Sequence, residues 1–366
     1  MTSKKWFISC IALLLAALVT VGGMVFFVDP FFHYRAPNKA LFYRLYDQRS
    51  QNDGITKHFD YDAIITGTSM AENFKASQFE ELFGVKTIKV VYSGATYKET
   101  NDNLKVSYES GHDPKYVVKP LDYSLLVRDK DELRLDMGEY PDYLTNSNPF
   151  DDVKYLFNKD VFLRYTLRSL LWYFQGKDGG YTSFDEYSNT SDENVYGKDY
   201  VIPGRKKFKD PKQVLDVTDE EYEMVLGNVR QNVVEIAKEH PETTFIYFFP
   251  PYSMAYFGGL RENGELSKMI RYKQAAIEEM LECENIHIYS FSLHTDITAD
   301  LDRYRDVAHY DSMVNEDIIE LIYECESGLL AENAGISDRI TNENKDEYYR
   351  AEEELLLNFD YNQLVG

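Results

Sequence analysis

Two short segments of this chain carry residue types that serine-based acyl chemistry uses. Ser69 stands in Gly67-Thr68-Ser69-Met70, between an apolar run and a helical pattern, where main-chain N–H groups and a helix N-terminus would stabilise an oxyanion. Asp306 precedes His309 by three residues, a spacing that lets the carboxylate bind Nδ1 and leaves Nε2 to accept a serine proton. A plain helix cap and a structural Asp–His pair are the alternatives.

A third segment, Ser93-Gly94-Ala95, follows the next predicted strand. A glycine there lets the backbone approach a substrate and offers its N–H to an oxyanion, although an ordinary turn glycine is the alternative. No third ligand stands at a metal-binding spacing from Asp306 and His309, and the chain contains no CxxC pair. We therefore predict no metal and no cofactor.

Strand-like and helix-like segments alternate along most of the chain. Apolar runs at 61–66, 85–92, 116–118, 244–249 and 286–289 are separated by helical patterns at 71–82, 97–108, 218–239, 266–283 and 311–330. Short strands joined by long helices predict an α/β fold, a three-layer α/β/α sandwich with a mostly parallel sheet. Such sheets bind ligands at the carboxyl ends of their strands, which is where the three segments above would lie.

An uncharged stretch from Trp6 to Val28 follows Lys4-Lys5 and precedes Asp29. Its length is sufficient for a helix that spans the hydrocarbon core, and the flanking charges favour an N-terminus inside the cell. We predict that residues 1–29 form a cytoplasmic stub and a transmembrane anchor in the cell membrane, with the C-terminal domain outside the cytoplasm. A cleaved signal peptide and a buried core helix are the alternatives.

The remaining sequence suggests three further regions. We predict an irregular, aromatic membrane-proximal connector at 30–60, the α/β domain at 61–330 with an insertion at about 127–215, and an acidic tail at 331–366. The net charge of −23 argues against nucleic acid as a partner. Cys283 and Cys325 could form one disulfide or remain two thiols.

A serine after the first strand, a glycine after the second and a DxxH motif before the last long helix resemble the SGNH/GDSL hydrolase superfamily. The resemblance covers roughly residues 60–330 and implies a flavodoxin-like sandwich. It further implies that Ser69 is the nucleophile, His309 the general base and then acid, and Asp306 the carboxylate that orients it. The N–H groups of Ser69 and Gly94 would form the oxyanion hole.

Two motifs differ from the pattern of that superfamily. Its Gly-Asp-Ser block reads Gly67-Thr68-Ser69 here, and its Gly-x-Asn-Asp block is replaced by Lys119-Pro120-Leu121-Asp122-Tyr123-Ser124. Either Tyr123 or Ser124 takes the place of the asparagine donor, or the oxyanion hole is reduced. Tyr252 and Ser253 follow the fourth strand, and with Tyr123 and Ser124 they are our candidate substrate contacts.

Membrane-tethered, extracytoplasmic members of the superfamily are the most similar, namely alginate-type O-acetyltransferases and the D-alanyl transfer protein of teichoic acid synthesis. The resemblance implies a serine-dependent acyltransferase or esterase that acts on a cell-envelope polysaccharide, with an acyl donor that comes from a membrane-bound partner protein or from a soluble ester. A catalytically inactive glycan-binding or scaffold protein of the same fold is one alternative, and a structural envelope protein is another. The decisive question is whether residues 69, 306 and 309 converge.

Overall fold

The computed structural model describes residues 3–137, 140–146, 148–187, 195–329 and 338–365. Its α-helices are α1 Ser3–Val28, α2 Gln48–His58, α3 Ala76–Phe83, α4 Tyr97–Glu109, α5 Val153–Leu156, α6 Leu167–Phe174, α7 Lys198–Val201, α8 Asp219–Val229, α9 Glu235–Glu239, α10 Met254–Asn263, α11 Leu266–Met280, α12 Thr295–Thr298, α13 Ser312–Glu326 and α14 Lys345–Asn358. Its strands are β1 Phe42–Tyr43, β2 Ala63–Gly67, β3 Thr87–Val91, β4 Tyr116–Pro120, β5 Gly180–Tyr181, β6 Thr244–Phe249, β7 Ile286–Ser290 and β8 Arg339–Ile340. The chain forms two compact units: unit 1 comprises Met1–Asp60 and Leu135–Tyr187, and unit 2 comprises Tyr61–Arg134 and Ser188–Gly366.

Unit 2 is built on a six-stranded sheet in the order β3-β2-β4-β6-β7-β8. Every neighbouring pair is parallel except β7 and β8. The strands β2, β3, β4, β6 and β7 are almost entirely buried, as expected for a parallel sheet that is covered on its faces. When the five parallel strands β2, β3, β4, β6 and β7 are counted 1 to 5 along the chain, their order across the sheet is 2-1-3-4-5. The chain therefore adds strands on one side of β2 first and then on the other, and the switch point lies between β2 and β4. Sheets of this kind bind ligands at the switch point.

The predicted α/β class and mostly parallel sheet are confirmed, and several element boundaries need correction. The helix expected from residue 71 begins only at Ala76, because Ser69–Ala71 form a separate 3-10 turn. The predicted long helix 218–239 does begin with a capping box, in which Thr218 and Glu221 bind each other's main-chain N–H groups. It contains a π-helical segment, Arg230–Val234, between α8 and α9.

Helix α1 belongs to unit 1 and is long and apolar enough to cross a membrane. Most of its residues are exposed, but Gly22, Val25 and Val28 near its end are buried. Val25 lies in a small core with Phe31, Leu144, Tyr155, Val161 and Tyr165. Unit 1 therefore packs its folded part against the last turns of this helix.

Within the segment 30–60, residues 42–43 form β1 and residues 48–58 form α2, which corrects the prediction that the whole segment is irregular. Asp29, directly after α1, adopts a φ of 48°, and its carboxylate accepts hydrogen bonds from the main-chain N–H groups of residues 33, 34 and 35 and from the Tyr155 hydroxyl. Helix α2 follows, and β1 pairs in parallel with β5. Contacts with residues more than 100 positions away, such as Tyr155 and strand β5, stabilise this segment. Because these partners are distant in sequence, the residue pattern of the segment itself does not predict its structure.

The acidic tail extends the sheet of unit 2. Strand β8 pairs with β7, and α14 places Glu352 against Lys273 of α11. Both charged side chains are almost completely buried. Lys273 also donates to Ser290 Oγ at 2.6 Å, and Tyr348 and Ser292 complete a polar cluster under the helix.

All three cysteines are free thiols in the described residues, which answers the question left open for Cys283 and Cys325. Burial raises the pKa of both thiols, that of Cys325 to about 12. The thiolate is the reactive form, so neither cysteine has the features of a nucleophile.

Candidate active site

Ser69 lies at the carboxyl end of β2, at the switch point of the sheet. The turn that presents it depends on Gly67, whose φ of 141° favours glycine and whose missing Cβ would lie 3.0 Å from Pro120 and 3.1 Å from Ala71. Thr68 caps the 3-10 turn through a hydrogen bond from Met70 N to its Oγ1. Because α3 begins only at Ala76, Ser69 does not lie at the N-terminus of a long helix as expected.

The DxxH motif lies in a loop that is closed on itself. Tyr304 and Tyr310 form an isolated antiparallel bridge, and the N–H of Arg305 donates to the carbonyl of His309 at 3.0 Å. At the tip of the loop, Asp306 Oδ1 accepts hydrogen bonds from the N–H groups of Ala308 and His309, both at 2.9 Å. The carboxylate position is therefore set by the main chain of its own loop.

The structure brings the three predicted residues together. Ser69 Oγ lies 2.8 Å from His309 Nε2, across 240 residues of sequence. His309 Nδ1 lies 2.8 Å from Asp306 Oδ2, so with Nδ1 as the donor, Nε2 is left as an acceptor for the serine hydroxyl. The side chains of His309 and Asp306 are 28% and 46% exposed, which leaves the site open to a substrate.

The charge state of Asp306 suits an orienting role. Burial would raise the pKa of Asp306, but hydrogen bonds from the His309 side chain and from two main-chain N–H groups outweigh it and lower the pKa to about 2. The carboxylate is therefore ionised across the neutral range. An ionised carboxylate on Nδ1 stabilises the imidazolium that forms when His309 takes a proton.

Gly94 lies three residues beyond β3, the strand paired with β2. Its φ of 71° is in the left-handed region, a conformation that favours glycine. Gly94 is thus at the same edge of the sheet as Ser69, and its role as an oxyanion donor remains a prediction.

Sequence reasoning missed Asp122, which lies two residues past β4 on the other side of the switch point. Asp122 is buried, and its carboxylate accepts hydrogen bonds from Thr68 Oγ1 at 2.7 Å and Tyr252 Oη at 2.6 Å. Burial raises the pKa of Asp122, and hydrogen bonds from Tyr252 and Thr68 oppose that shift. The sequence feature that indicates Asp122 is an acidic residue shortly after a strand at the switch point. It stands in the block Lys119 to Ser124, which replaces the Gly-x-Asn-Asp block of the superfamily.

The neighbouring lysine is also buried. Lys119 is 1% exposed, and its Nζ has no hydrogen-bond partner among the residues that the structure describes. Burial lowers the pKa of Lys119 to about 7, and the charges of Asp122 and Asp102 oppose that shift. The Nζ lies 5.3 Å from the centroid of the Tyr97 ring.

The four predicted substrate contacts differ in their exposure. Tyr123 and Tyr252 are buried, and their rings pack against each other with centroids 5.1 Å apart. Ser253 is fully buried, and its hydroxyl donates to the carbonyl of Val307 at 2.8 Å. Three of the four therefore support the site from behind and offer no surface to a substrate, because their positions after the strands lead into the core. Ser124 is exposed.

A groove borders the DxxH loop. It has a volume of about 430 Å³, and its lining includes Val307, Tyr256, Leu260, Val201, Ile202 and Arg205. This volume is in the range of sites for small ligands. Tyr256, in the first turn of α10, is half-buried and lines this groove.

Hydrogen bonds connect the groove to the candidate triad. Ser253, the residue directly before α10, donates its N–H and its hydroxyl to the carbonyl of Val307. Val307 is the residue directly after Asp306.

Comparison with known proteins gives no further guidance, since no protein-family model and no curated protein matches the chain.

Proposed function

We propose that this chain is a membrane-anchored, extracytoplasmic, serine-dependent acyltransferase or esterase of the SGNH type that acts on a cell-envelope polysaccharide. The observation that carries the proposal is the continuous Ser69–His309–Asp306 arrangement, with both hydrogen bonds at 2.8 Å. A non-catalytic relative would not need the serine hydroxyl within hydrogen-bond distance of the imidazole. The fold of unit 2, with its switch point beside Ser69, supports a three-layer sandwich of the flavodoxin-like type.

The proposed reaction has two acyl-transfer steps. His309 Nε2 takes the proton of Ser69 Oγ as that oxygen bonds to the ester carbonyl carbon, and the imidazolium then protonates the departing alkoxide when the ester C–O bond breaks. In the second step His309 deprotonates an acceptor hydroxyl or water, which attacks the acyl-enzyme. The bond to Ser69 Oγ breaks, and Oγ regains its proton from His309. The main-chain N–H groups of Ser69 and Gly94 are the proposed oxyanion donors.

The groove beside the DxxH loop is our proposed acceptor site. Tyr256 offers part of an aromatic ring, and Arg205 and Asn263 offer hydrogen-bond donors, a combination that suits a sugar ring. The acyl group would come from a membrane-bound partner protein or from a soluble ester. The length and composition of α1 support a single-pass anchor, and Lys4-Lys5 before the apolar stretch favours an N-terminus inside the cell.

Trapping of the acyl-enzyme tests this proposal. The full chain in detergent is incubated with an activated acetyl ester, quenched with acid and digested, and the acetylated peptide is located by mass spectrometry. We expect one acetylated serine at position 69, absent from Ser69→Ala and retained in Ser327→Ala, which removes an exposed serine. Ester turnover without an adduct on Ser69, or with equal labelling of both variants, would contradict the proposed nucleophile.

Asp122→Asn is expected to lower kcat by about 10- to 100-fold, because a displacement of the nucleophile by about 1 Å has an effect of that size. The asparagine amide would bring a donor to a position where Thr68 and Tyr252 both donate, so the Thr68–Ser69 turn would shift. KM should change little, since Asp122 is buried behind the serine. The matched control, Asp102→Asn, removes a carboxylate that pairs with Lys98 on the surface. Equal rates for both variants would show that Asp122 does not position the nucleophile.

A further inference from the structure

Unit 1 contains a small cavity whose walls carry three arginines. Arg44, Arg164 and Arg168 line it together with Trp172 and Pro30, which is two residues beyond the end of α1. Within the described residues none of the three guanidinium groups forms an ion pair. In a chain with a net charge of −23, three unpaired arginines around one cavity indicate a site for an anion.

The arginines are arranged so that their donors stay available. Arg168 lies over the ring of Trp172, 5.2 Å from its centroid, and Arg44 lies over Tyr46 at 4.9 Å. Stacking on an aromatic face orients a guanidinium group without using its N–H donors. A planar fork of donors matches the oxygens of a phosphate. Lys177 adds a fourth cation, 4.6 Å from the Trp172 ring.

The cavity lies beside the end of the apolar helix. Its wall includes Tyr165, which shares a buried core with Val25 in the last turns of α1. The same helical segment, 161–174, exposes Leu163, Leu171 and Phe174, the last at 80%. Exposed apolar residues beside arginines and a tryptophan are typical of a helix that lies in the interface of a membrane.

We propose that this cavity binds the phosphate group of a phospholipid headgroup at the outer surface of the membrane. The inference rests on the anchoring role of α1 in the proposed function, and it is independent of the chemistry at Ser69. A free phosphate ion has the same charge and the same acceptor oxygens. The exposed apolar residues next to the cavity favour the lipid, because they would contact its acyl chains.

Trp172 itself reports on the cavity. The chain contains two tryptophans, so Trp6→Phe leaves Trp172 as the single tryptophan. The full chain with this substitution, in a non-ionic detergent, is titrated with short-chain phosphatidylglycerol, and separately with inorganic phosphate and with a short-chain diacylglycerol. We expect a saturable change in Trp172 fluorescence with phosphatidylglycerol, and a much weaker response to the other two compounds.

Substitution of the arginines completes the test. Arg164→Gln with Arg168→Gln, and separately Arg44→Gln, should weaken phosphatidylglycerol binding by about tenfold or more, since each removes charged donors to the phosphate. Arg271→Gln, at an exposed arginine of α11, is the matched control and should bind like the parent.

Three results would overturn the proposal. The first is unchanged binding in the arginine variants, and the second is an equal response to diacylglycerol. The third is saturable binding of inorganic phosphate alone, which would contradict a lipid source. Ser69→Ala should not alter the titration. A failure of acyl-enzyme trapping with intact lipid binding would therefore count against the catalytic proposal alone.

Discussion

Ser69→Ala is expected to reduce the rate of ester cleavage by about 10⁴-fold or more, to the level of residual binding and oxyanion stabilisation. The reason is the single proton path in the site: His309 Nε2 lies 2.8 Å from Ser69 Oγ, so loss of the hydroxyl removes both the nucleophile and its proton. His309→Ala should have an effect of the same size. The double variant should be no slower than either single variant, because the two side chains act as one unit.

Asp306→Asn should lower the rate by about 10³- to 10⁴-fold, since an amide at Nδ1 favours the wrong imidazole tautomer. The pKa of Asp306 is lowered to about 2, so its carboxylate keeps the same charge from about pH 4 upwards. The loss is measured as initial rates of ester cleavage at neutral pH, where the parental carboxylate is fully ionised.

A second histidine–carboxylate pair provides the control for these rate measurements. His294 Nε2 lies 2.8 Å from Asp338 Oδ1, and within the described residues no hydrogen bond joins this pair to Ser69, Asp306 or His309. His294→Ala should keep the parental rate, measured as initial rates of ester cleavage by the full chain in detergent. A His309→Ala variant that is as active as His294→Ala would rule out the proposed general base.

The second large effect concerns stability. Lys273→Met is expected to destabilise unit 2 by about 3–5 kcal/mol, because it leaves the Glu352 carboxyl group buried without its partner. Glu352→Leu should also be destabilising, since Lys273 loses its counter-ion. Burial lowers the pKa of Lys273, and the charge of Glu352 opposes that shift. The double variant Lys273→Met with Glu352→Leu should lose less than the two single variants combined.

A surface ion pair between the same two helices is the matched control. Lys345 of α14 binds Glu278 of α11, with side chains 22% and 49% exposed. Lys345→Met should therefore cost no more than about 1 kcal/mol. Urea denaturation of the full chain in detergent, with hydrogen exchange followed in residues 345–358, measures both effects. Equal losses for Lys273→Met and Lys345→Met would show that the buried pair does not attach α14.

The local pattern was sufficient to predict most of the sheet and several helices. The strand at Thr244–Phe249 and the start of the helix after Thr218 agree with the structure, because a run of apolar residues and a capping box are encoded within a few positions. Helix α2 and the two-residue strands β1 and β5 were not predicted, since partners distant in sequence stabilise them.

For the candidate site, the residue types and their order along the chain already identified Ser69, Asp306 and His309, because strand ends in a parallel sheet share one edge. The sequence did not show which side chains after the strands are buried and which are exposed. Tyr123 and Tyr252 follow strands as Ser69 does, yet they pack into the core, and Asp122 became part of the site only through two hydroxyl donors from other segments. Side-chain direction after a strand depends on the turn and on what packs against it, which only the tertiary structure decides.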